Sequence, residues 1–364
     1  MKKVILKGEG VIAVEEAPLP KVKEGWALIR VNTSAVCGSE RGLYLMKNAP
    51  AMNIGHEISG VVEQVNGTKV IQPGDRVAAN VMQGCGECWY CKNGLPTLCR
   101  SSKFHGNGHA EYMALPEECC LPLPEEMSFE EGVLLGGDTI GVAWRCMKKL
   151  LDTLPASAAA GEESAAKPGE EKLPDRVKKA LNGRLVFVSG LGPVGLGVVM
   201  MLKFLGCRIV VSEFNAFRRD MAKENLGADV VLDPGSQDVK AELDALTEGL
   251  GPEIVIECSG AGAAQQQALD LVCCQGVVVF AGENFKEISV NPSNQIIHKE
   301  ITVTGAFYYT PSDFLEIQEL FRQGLRASGI VSHRFRGEEA PAAFDLFFKE
   351  GNSGKVMLQW EGSV

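Results

Sequence analysis

The residues with the clearest chemical pattern are four cysteines in the segment GCGECWYCKNGLPTLC, at Cys85, Cys88, Cys91 and Cys99. Two cysteines separated by two residues can both reach one tetrahedral ion, and four thiolates close its coordination sphere, which is typical of structural zinc. The alternatives are an iron–sulfur cluster and unliganded buried cysteines. A bacterial ferredoxin run has three residues before its last cysteine and a proline after it. Here seven residues precede Cys99 and Arg100 follows it, so the spacing favours zinc.

A second group of metal-ligand types is spread along the chain. Cys37 lies in AVCGSE, His56 and Glu57 lie in NIGHEISGVV, and Asp138 lies in LLGGDTIGVAW. A catalytic zinc takes about three protein ligands and keeps one position for water or substrate, so a thiolate, an imidazole and a carboxylate form a plausible set. Each residue also has an ordinary explanation, as a small buried cysteine, a hydrogen-bonded histidine and a helix N-cap. Glu57 is predicted either to orient the neighbouring ligand or to act as an exchangeable ligand.

The segment VFVSGLGPVG carries the G-x-G-x-x-G spacing between an apolar strand and an apolar helix, which is the context that a dinucleotide-binding turn requires. The residues of the turn predicted to contact the cofactor are Gly190, Gly192, Pro193, Val194 and Gly195. The glycines permit a tight turn and close approach to pyrophosphate, and the helix N-terminus favours its charge. Glu213, about twenty residues on, is placed to accept the ribose hydroxyls, which predicts NAD over NADP. Arg218 is a further candidate that would soften this preference, although a solvated helix face is the favoured explanation for it.

The candidate residues fall in two regions of different texture. Residues 1 to about 135 contain strand-like segments such as WALIRVNTSAV and ISGVVEQV, with Gly, Pro and Asn turns between them. From Leu185 onward short apolar strands alternate with helical stretches, which predicts βαβ units and a parallel sheet. The segment SDFLEIQELFRQG predicts a later helix, and KVMLQW predicts a strand near the end.

Residues 152–174 differ from both regions, because they are rich in Ala, Glu, Pro and Gly and lack large apolar side chains. Such a composition contributes little to a core, so we predict a surface insertion at about 152–180. Within it, DRVKKALNG predicts a short helix with Asp175 as N-cap and Gly183 at its end.

The bulk composition limits the possible partners and compartments. The chain has 364 residues, which suits two domains, and a formal net charge of -10. An acidic surface argues against binding to nucleic acid or to anionic membranes. We find neither a signal peptide nor a segment of transmembrane length, so the expected location is cytoplasmic. In that reducing compartment the twelve cysteines indicate metal binding or burial rather than disulfides.

Together and in this order, the motifs resemble the zinc-containing medium-chain dehydrogenase/reductase superfamily, the family of alcohol, sorbitol and threonine dehydrogenases. The resemblance covers nearly the whole chain and is specific because the motifs are collinear. Besides the cysteine cluster and the glycine turn, they are C-G-S-E at 37–40, G-H-E-x-x-G at 55–60, G-D-R-V at 74–77, H-A-E-Y at 109–112 and SHRF…AFDLF…GKVML at 332–358.

The resemblance implies roles for individual residues. Cys37 and His56 match the catalytic zinc ligands of the family, and Asp138 matches the third ligand, which varies among Cys, Glu and Asp. Glu57 matches the acid that follows the ligand histidine. Ser39 matches the Ser or Thr that hydrogen-bonds the substrate oxygen and relays its proton. The implied activity is hydride transfer between an alcohol or polyol, or the matching carbonyl compound, and a nicotinamide cofactor.

The implied fold is α/β, with a β-rich GroES-like catalytic domain and a Rossmann domain containing a doubly wound parallel sheet. We expect the catalytic domain to comprise residues 1–138 and 307–364, with the structural zinc lobe at 85–99. The NAD-binding domain is expected at 139–306. The family is usually dimeric or tetrameric, which implies a homodimer or homotetramer with two zinc ions per chain, one catalytic and one structural.

Three departures from the family pattern stand out. Many members carry a histidine shortly after the C-G-S/T-D motif as the outer end of the proton relay, whereas this chain has Gly42. Tyr44 and water are the alternatives for that role. The stretch from Glu40 to Gly55 is shorter than usual, which predicts a reshaped substrate pocket, and the insertion is atypical of the family.

Other functions are compatible with parts of the sequence, but these motifs argue against them. The zinc-independent quinone and enoyl reductases of the same superfamily lack the ligand set of Cys37, His56 and Asp138. A catalytically retired binding protein would not need intact metal ligands, so the ligands retained in this chain argue against that function. A zinc-ribbon module that binds nucleic acid conflicts with the acidic net charge. The sequence therefore favours a zinc-dependent dehydrogenase.

Overall fold

The computed structural model describes residues 1–154 and 171–360. The chain divides into two compact units, the first with Met1–Gly141, Tyr309–Gln318 and Arg326–Val364, and the second with Val142–Tyr308 and Glu319–Leu325. The predicted insertion falls largely on residues 155–170, which lie outside the described residues.

The first unit contains a seven-stranded sheet in its described residues, centred on the two longest strands, Trp26–Val36 and Glu57–Asn66. These strands are antiparallel and place Ala35 opposite Glu57. Along the sheet the order is Val331–Arg336, Lys355–Gln359, Trp26–Val36, Glu57–Asn66, Arg76–Ala79 and Cys120–Pro122, with Tyr112–Pro116 also paired to Trp26–Val36. Two small sheets accompany it, Lys2–Gly8 with Val11–Glu16 and Met82–Gln83 with Lys103–Phe104.

The second unit contains a parallel sheet that the described residues build from six strands. Their order is Val230–Leu232, Arg208–Ser212, Leu185–Ser189, Ile254–Glu257, Val277–Phe280 and Thr302–Gly305. Numbered along the chain this order is 3-2-1-4-5-6, the doubly wound arrangement of dinucleotide-binding sheets. The strands read as short apolar runs because they are buried on both faces: Phe187 and Val188, which are adjacent in one strand and point to opposite faces, are both buried, as are Val210 and Val211.

The α-helices connect these strands and cover the sheets. Their bounds in chain order are Arg41–Leu45, Trp89–Lys92, Phe129–Leu135, Asp138–Thr153, Leu173–Leu181, Pro193–Phe204, Ala216–Asp220, Val239–Leu246, Gly262–Leu271, Pro311–Arg322 and Ala340–Asp345. None of the helices in the described ranges is long and apolar enough to cross a membrane. The predicted fold class, a β-rich unit combined with a doubly wound parallel sheet, is confirmed.

The helix predicted to start after Asp175 begins earlier than expected. It runs from Leu173 to Leu181, with Lys172 as its N-cap, so Asp175 lies inside the first turn and is not the cap. Pro174 explains the difference, because its fixed φ and missing N–H suit the first turn of a helix. Gly183, at φ 78°, follows the end of the helix as predicted.

Candidate metal and dinucleotide sites

Cys37, His56 and Asp138 meet in the first unit although they are far apart in the chain. Their ligand atoms all lie within 4.8 Å of one another. His56 Nε2 is 3.3 Å from Asp138 Oδ2, and Cys37 Sγ is 3.9 Å from the same oxygen. A thiolate, an imidazole and a carboxylate thus converge on one point, as a three-ligand metal site requires.

The antiparallel pairing of two strands places two of these donors side by side. Cys37 directly follows the strand Trp26–Val36, and His56 directly precedes the strand Glu57–Asn66. Because the end of one strand pairs with the start of the other, the two residues emerge at the same edge of the sheet. Asp138 is the first residue of the helix Asp138–Thr153 and joins them there.

The ring of His56 is oriented by a backbone contact. Its Nδ1 lies 2.9 Å from the carbonyl oxygen of Ile54, so Nδ1–H donates to that oxygen and Nε2 faces Asp138. A hydrogen bond of this kind fixes the tautomer of a metal-binding histidine. The ring of Phe104 packs edge-on against His56, with centroids 5.6 Å apart.

The geometry of the three residues fits a divalent cation. Asp138 Oδ1 is buried and has no hydrogen-bond partner among the described residues, so this carboxylate is not acting as a helix cap. Burial disfavours the charged form of His56, but the negative charges of Cys37 and Asp138 outweigh it and raise the pKa of His56 well above its usual value. Sulfur, nitrogen and oxygen donors in a negative potential suit zinc.

Ser39 lies beside these donors on the turn that follows Cys37. Its hydroxyl donates to Cys37 Sγ at 3.3 Å, and the residue is exposed, as a group that contacts substrate requires. The relay beyond Ser39 is different from the family pattern. A Cβ on Gly42 would meet nothing within 4 Å, while the Tyr44 hydroxyl donates to Asp345 Oδ1 at 2.6 Å rather than to Ser39.

Glu57 is buried next to these donors, but its carboxylate has other partners. It forms an ion pair with Lys355, and Thr139 Oγ1 donates to it at 3.3 Å. Burial lowers the pKa of Lys355, but the charge of Glu57 outweighs it, so that pKa is raised, whereas burial raises the pKa of Glu57 against the opposing charge of Lys355. The ligand group found among the described residues comprises Cys37, His56 and Asp138, and a ligand role for Glu57 stays a prediction.

The four-cysteine cluster forms a compact lobe in the first unit. Its sulfur atoms lie within 4.8 Å of one another, with Cys88 Sγ 3.5 Å from Cys91 Sγ. Backbone N–H groups of Glu87 and Cys88 lower the pKa of Cys85 to about 6, which favours its thiolate. All of the described cysteines are free, so the four sulfur atoms are not joined by disulfides, and their proximity fits a tetrahedral metal site.

The glycine turn of the second unit has the form expected of a dinucleotide site. Gly190 has φ 87°, which a side chain would disfavour, and it follows the central strand Leu185–Ser189. A Cβ on Gly195 would lie 2.0 Å from Gly190 O, so only glycine permits this close contact. Gly192 is the N-cap of the helix Pro193–Phe204, whose N-terminus carries Pro193 and Val194.

Glu213 lies beside this turn, at the end of the strand Arg208–Ser212. Its carboxylate accepts from the backbone N–H of Leu191 at 2.7 Å and of Asn215 at 2.9 Å. Arg219 donates to the backbone oxygen of Glu213 and pairs with Asp233. The acid is therefore held against the turn that would carry a pyrophosphate.

Several buried polar residues whose roles were not predicted from the sequence adjoin the first site: Glu40, His109, Tyr309 and Lys355. The Tyr309 hydroxyl lies within hydrogen-bond distance of the carbonyl oxygens of Ala79 and Gly136, and its one hydrogen is shared between them. Gly136 lies two residues before Asp138. Lys355 is charged yet lies in the apolar strand KVMLQ, and this misfit is the one local signal that pointed to it. Glu40 and His109 belong to quoted motifs, but nothing local shows that they touch.

Comparison with known proteins supports the same grouping. Residues 23–125 match the model of the alcohol dehydrogenase GroES-like domain, and residues 193–323 match that of zinc-binding dehydrogenases. L-threonine 3-dehydrogenase of Pyrococcus furiosus is 29% identical over 363 residues, covering 94% of this chain and 93% of its own. Human sorbitol dehydrogenase is 29% identical over 379 residues, covering 99% and 96%.

A solved structure of an alcohol dehydrogenase from Thermus sp. ATN1 superposes with a TM-score of 0.82 at 25% identity, covering 99% of this chain and 100% of that one. The GroES-like unit, the doubly wound sheet and the two ligand groups define a zinc-binding dehydrogenase. The chain belongs to the zinc-containing medium-chain dehydrogenase/reductase superfamily.

Proposed function

We propose that this protein is a zinc-dependent dehydrogenase that transfers a hydride between an alcohol or polyol, or the matching carbonyl compound, and NAD. The observation that carries the proposal is the convergence of Cys37, His56 and Asp138 on one point, where the other carboxylate oxygen of Asp138, Oδ1, is buried without a hydrogen-bond partner among the described residues. In this proposal residues 1–138 and 307–364 form the catalytic domain, and residues 139–306 bind the coenzyme.

Each residue of the site has a defined task in the reaction. When bound, zinc supplies Lewis acidity toward the substrate hydroxyl, and the nicotinamide supplies the hydride acceptor. Cys37, His56 and Asp138 hold the metal and leave one position for substrate. Ser39 accepts the hydroxyl proton from its exposed position on the Cys37 turn. Glu57 neutralises Lys355 behind the ligands and is available as an exchangeable ligand.

The second unit is assigned the coenzyme. The backbone of the glycine turn, from Gly190 to Gly195, binds the pyrophosphate at the start of a helix. Glu213 accepts the hydrogen bonds of the adenosine ribose in place of those it now accepts from backbone N–H groups. A carboxylate at this position repels a 2′-phosphate, which favours NAD, and Arg218 is the candidate that would act in the opposite direction.

The substrate class follows from the third ligand and from the relatives. The relatives are named as dehydrogenases of L-threonine at its position 3 and of the polyol sorbitol, so a polyol or secondary alcohol is the first substrate to test. We also propose two zinc ions per chain, with the structural one held by Cys85, Cys88, Cys91 and Cys99. A cytoplasmic location and a homodimeric or homotetrameric state complete the proposal.

Zinc analysis of Asp138→Ala tests the assignment directly. The purified wild-type chain should hold two zinc ions and the variant one, with loss of turnover on an alcohol panel. Asp75→Ala is the matched control, because Asp75 lies in the same unit and its carboxylate accepts a hydrogen bond from the backbone N–H of Gln72. Full zinc content and turnover in Asp138→Ala would refute the ligand assignment, and a wild-type chain without zinc would favour a zinc-independent reductase.

A further inference from the structure

A chain of buried hydrogen bonds lies behind the Cys37 turn. Trp360 Nε1 donates to Ser34 Oγ at 3.1 Å, and Ser34 Oγ lies 2.9 Å from His109 Nδ1. On the other side of the ring, His109 Nε2 is 3.0 Å from Glu40 Oε1. Ser34, Glu40 and His109 have no exposed surface, so this chain is sealed from water.

The donors and acceptors along the chain are mutually determined. The indole N–H of Trp360 can only donate, so Ser34 accepts from it and has one hydroxyl hydrogen left to give. The carboxylate of Glu40 requires a proton on His109 Nε2, and in the neutral ring Nδ1 is then the acceptor for the Ser34 hydrogen. His109 Nε2–H therefore donates to the carboxylate of Glu40 in a charge-assisted bond.

The last link of the chain is the backbone of a proposed metal ligand. Glu40 Oε2 accepts from the N–H of Cys37 at 3.1 Å, and the N–H of Glu40 returns to the carbonyl oxygen of Cys37 at 3.2 Å. These two bonds close the short turn Gly38–Glu40, on which Ser39 lies between the two bonded residues. The carboxylate of Glu40 thus fixes both the ligand and the proton acceptor.

The segment around His109 also holds the other ligand strand. Asn53 Nδ2 donates to His109 O at 2.8 Å, and Asn53 Oδ1 accepts from the N–H of Gly55, the residue before His56. A Cβ on Gly55 would lie 2.5 Å from the ring of His109, so only glycine allows this packing. His109 therefore links the Cys37 turn with the segment that carries His56.

We propose that Glu40 and His109 are a positioning pair, which holds the Cys37 thiolate and the Ser39 hydroxyl in the geometry that metal binding and proton acceptance require. This inference rests on the proposed function, because it concerns the same site. Among the described residues, neither side chain contacts the donor atoms of Cys37, His56 or Asp138. Glu40 therefore acts through the backbone of Cys37, and His109 acts through Glu40 and through its packing against Gly55.

The test uses Glu40→Gln, His109→Phe and His109→Gln in the full-length protein. Gln at position 40 keeps the shape of the side chain but turns an NH2 group toward one of the two donors, the N–H of Cys37 or Nε2–H of His109. Phe at position 109 keeps an aromatic ring but removes the Nε2–H donor. Gln at 109 restores an N–H near the position of Nε2. Glu131→Gln is the matched control, because Glu131 is a buried carboxylate of the same unit that accepts from backbone N–H groups of Ala327 and Ser328.

The first readout is the time course of zinc release to a chromogenic chelator. The release phase that is absent in the Asp138→Ala variant belongs to the zinc held by Cys37, His56 and Asp138. Glu40→Gln and His109→Phe should release this zinc about tenfold to a hundredfold faster than wild type, the range for residues that orient ligands. The second readout is steady-state kinetics, where we expect kcat to fall by a similar factor. His109→Gln should recover most of both losses, and the Glu40→Gln, His109→Phe double variant should be no worse than the worse single variant.

The outcomes separate this inference from the proposed function. If Glu131→Gln changes zinc release as much as Glu40→Gln does, the effect is general destabilisation and the inference is wrong. The inference is also wrong if His109→Phe and His109→Gln show the same zinc release and the same kcat. Provided that the wild-type protein holds its zinc and is active, this result leaves the proposed function standing. If the Asp138→Ala variant instead holds as much zinc as the wild-type protein, the proposed function is overturned.

Discussion

Replacement of Lys355 by Met is the most informative perturbation of stability in this protein. The ammonium group of Lys355 pairs with Glu57, and the two side chains are 0% and 1% exposed. Methionine has a similar length and fills the same apolar strand, so the change removes the charge with little loss of packing. The remaining partner of Glu57 would be the hydroxyl of Thr139, at 3.3 Å.

The expected magnitude follows from this burial. Removing one partner of a buried ion pair leaves an uncompensated charge and costs about 3–5 kcal/mol. We therefore expect Lys355→Met to lower the free energy of unfolding by about this amount. The double variant with Glu57→Gln removes both charges and should regain most of the loss, because neutral replacements of buried pairs are often tolerated. Lys355→Arg, which keeps the charge, provides a folded comparison if the methionine variant is too unstable to purify.

Urea unfolding at neutral pH, followed by tryptophan fluorescence, measures these differences in a double-mutant cycle. Lys7→Met is the matched control, because Lys7 pairs with Glu15 at 2.8 Å in the same unit while both side chains are about half exposed. Such an exposed pair contributes about 0–1 kcal/mol. If Lys355→Met costs no more than Lys7→Met, or if Glu57→Gln fails to rescue it, the reasoning from burial is refuted.

Two predictions concern the coenzyme. Gly195→Ala should raise the KM for NAD about tenfold or more, because the added Cβ would force apart Gly190 and the start of the helix at a cost of about 1–3 kcal/mol. Steady-state kinetics measures this change. The control is Gly42→Ala, because a Cβ at Gly42 meets nothing within 4 Å. A KM equal to that of the control would contradict the role of the turn. Glu213→Ala should lower kcat/KM with NAD about tenfold to a hundredfold, because a hydrogen bond to a charged group contributes about 1.5–3 kcal/mol. It should also narrow the preference for NAD over NADP. An unchanged ratio of kcat/KM for the two cofactors would argue against ribose recognition by Glu213.

Features that depend on neighbouring residues were predictable from the sequence. The glycine turn lies within one strand–turn–helix unit, and the alternation of short apolar strands with helices predicted the parallel sheet that the structure contains. The four cysteines also lie within one short segment, so their spacing alone indicated a common ion. The start of the helix at Leu173 was missed, because an Asp near a helix start is equally suited to the first turn.

Features that depend on distant contacts were not predictable in this way. Glu57 and Lys355 are 298 positions apart, and Glu40 and His109 are 69 positions apart, so no local pattern joins either pair. The convergence of Cys37, His56 and Asp138 was expected because the family resemblance supplied it, not because their spacing did. A charged residue in an apolar strand marks a buried partner, but the sequence does not say which one.

The charges around the ligand group explain why its donors suit a divalent ion. Lys355 neutralises Glu57, so the net charge facing the metal comes from Cys37 and Asp138, which supply one negative charge each when both are ionised. Two negative charges balance a divalent cation, and the neutral ring of His56 completes the set without adding charge. Zinc held there would supply the Lewis acidity that lowers the pKa of a substrate hydroxyl, and Ser39 would be placed to accept its proton. Loss of Lys355 would leave a third negative charge beside the ligands, so the ion pair shapes the chemistry of the site as well as its stability.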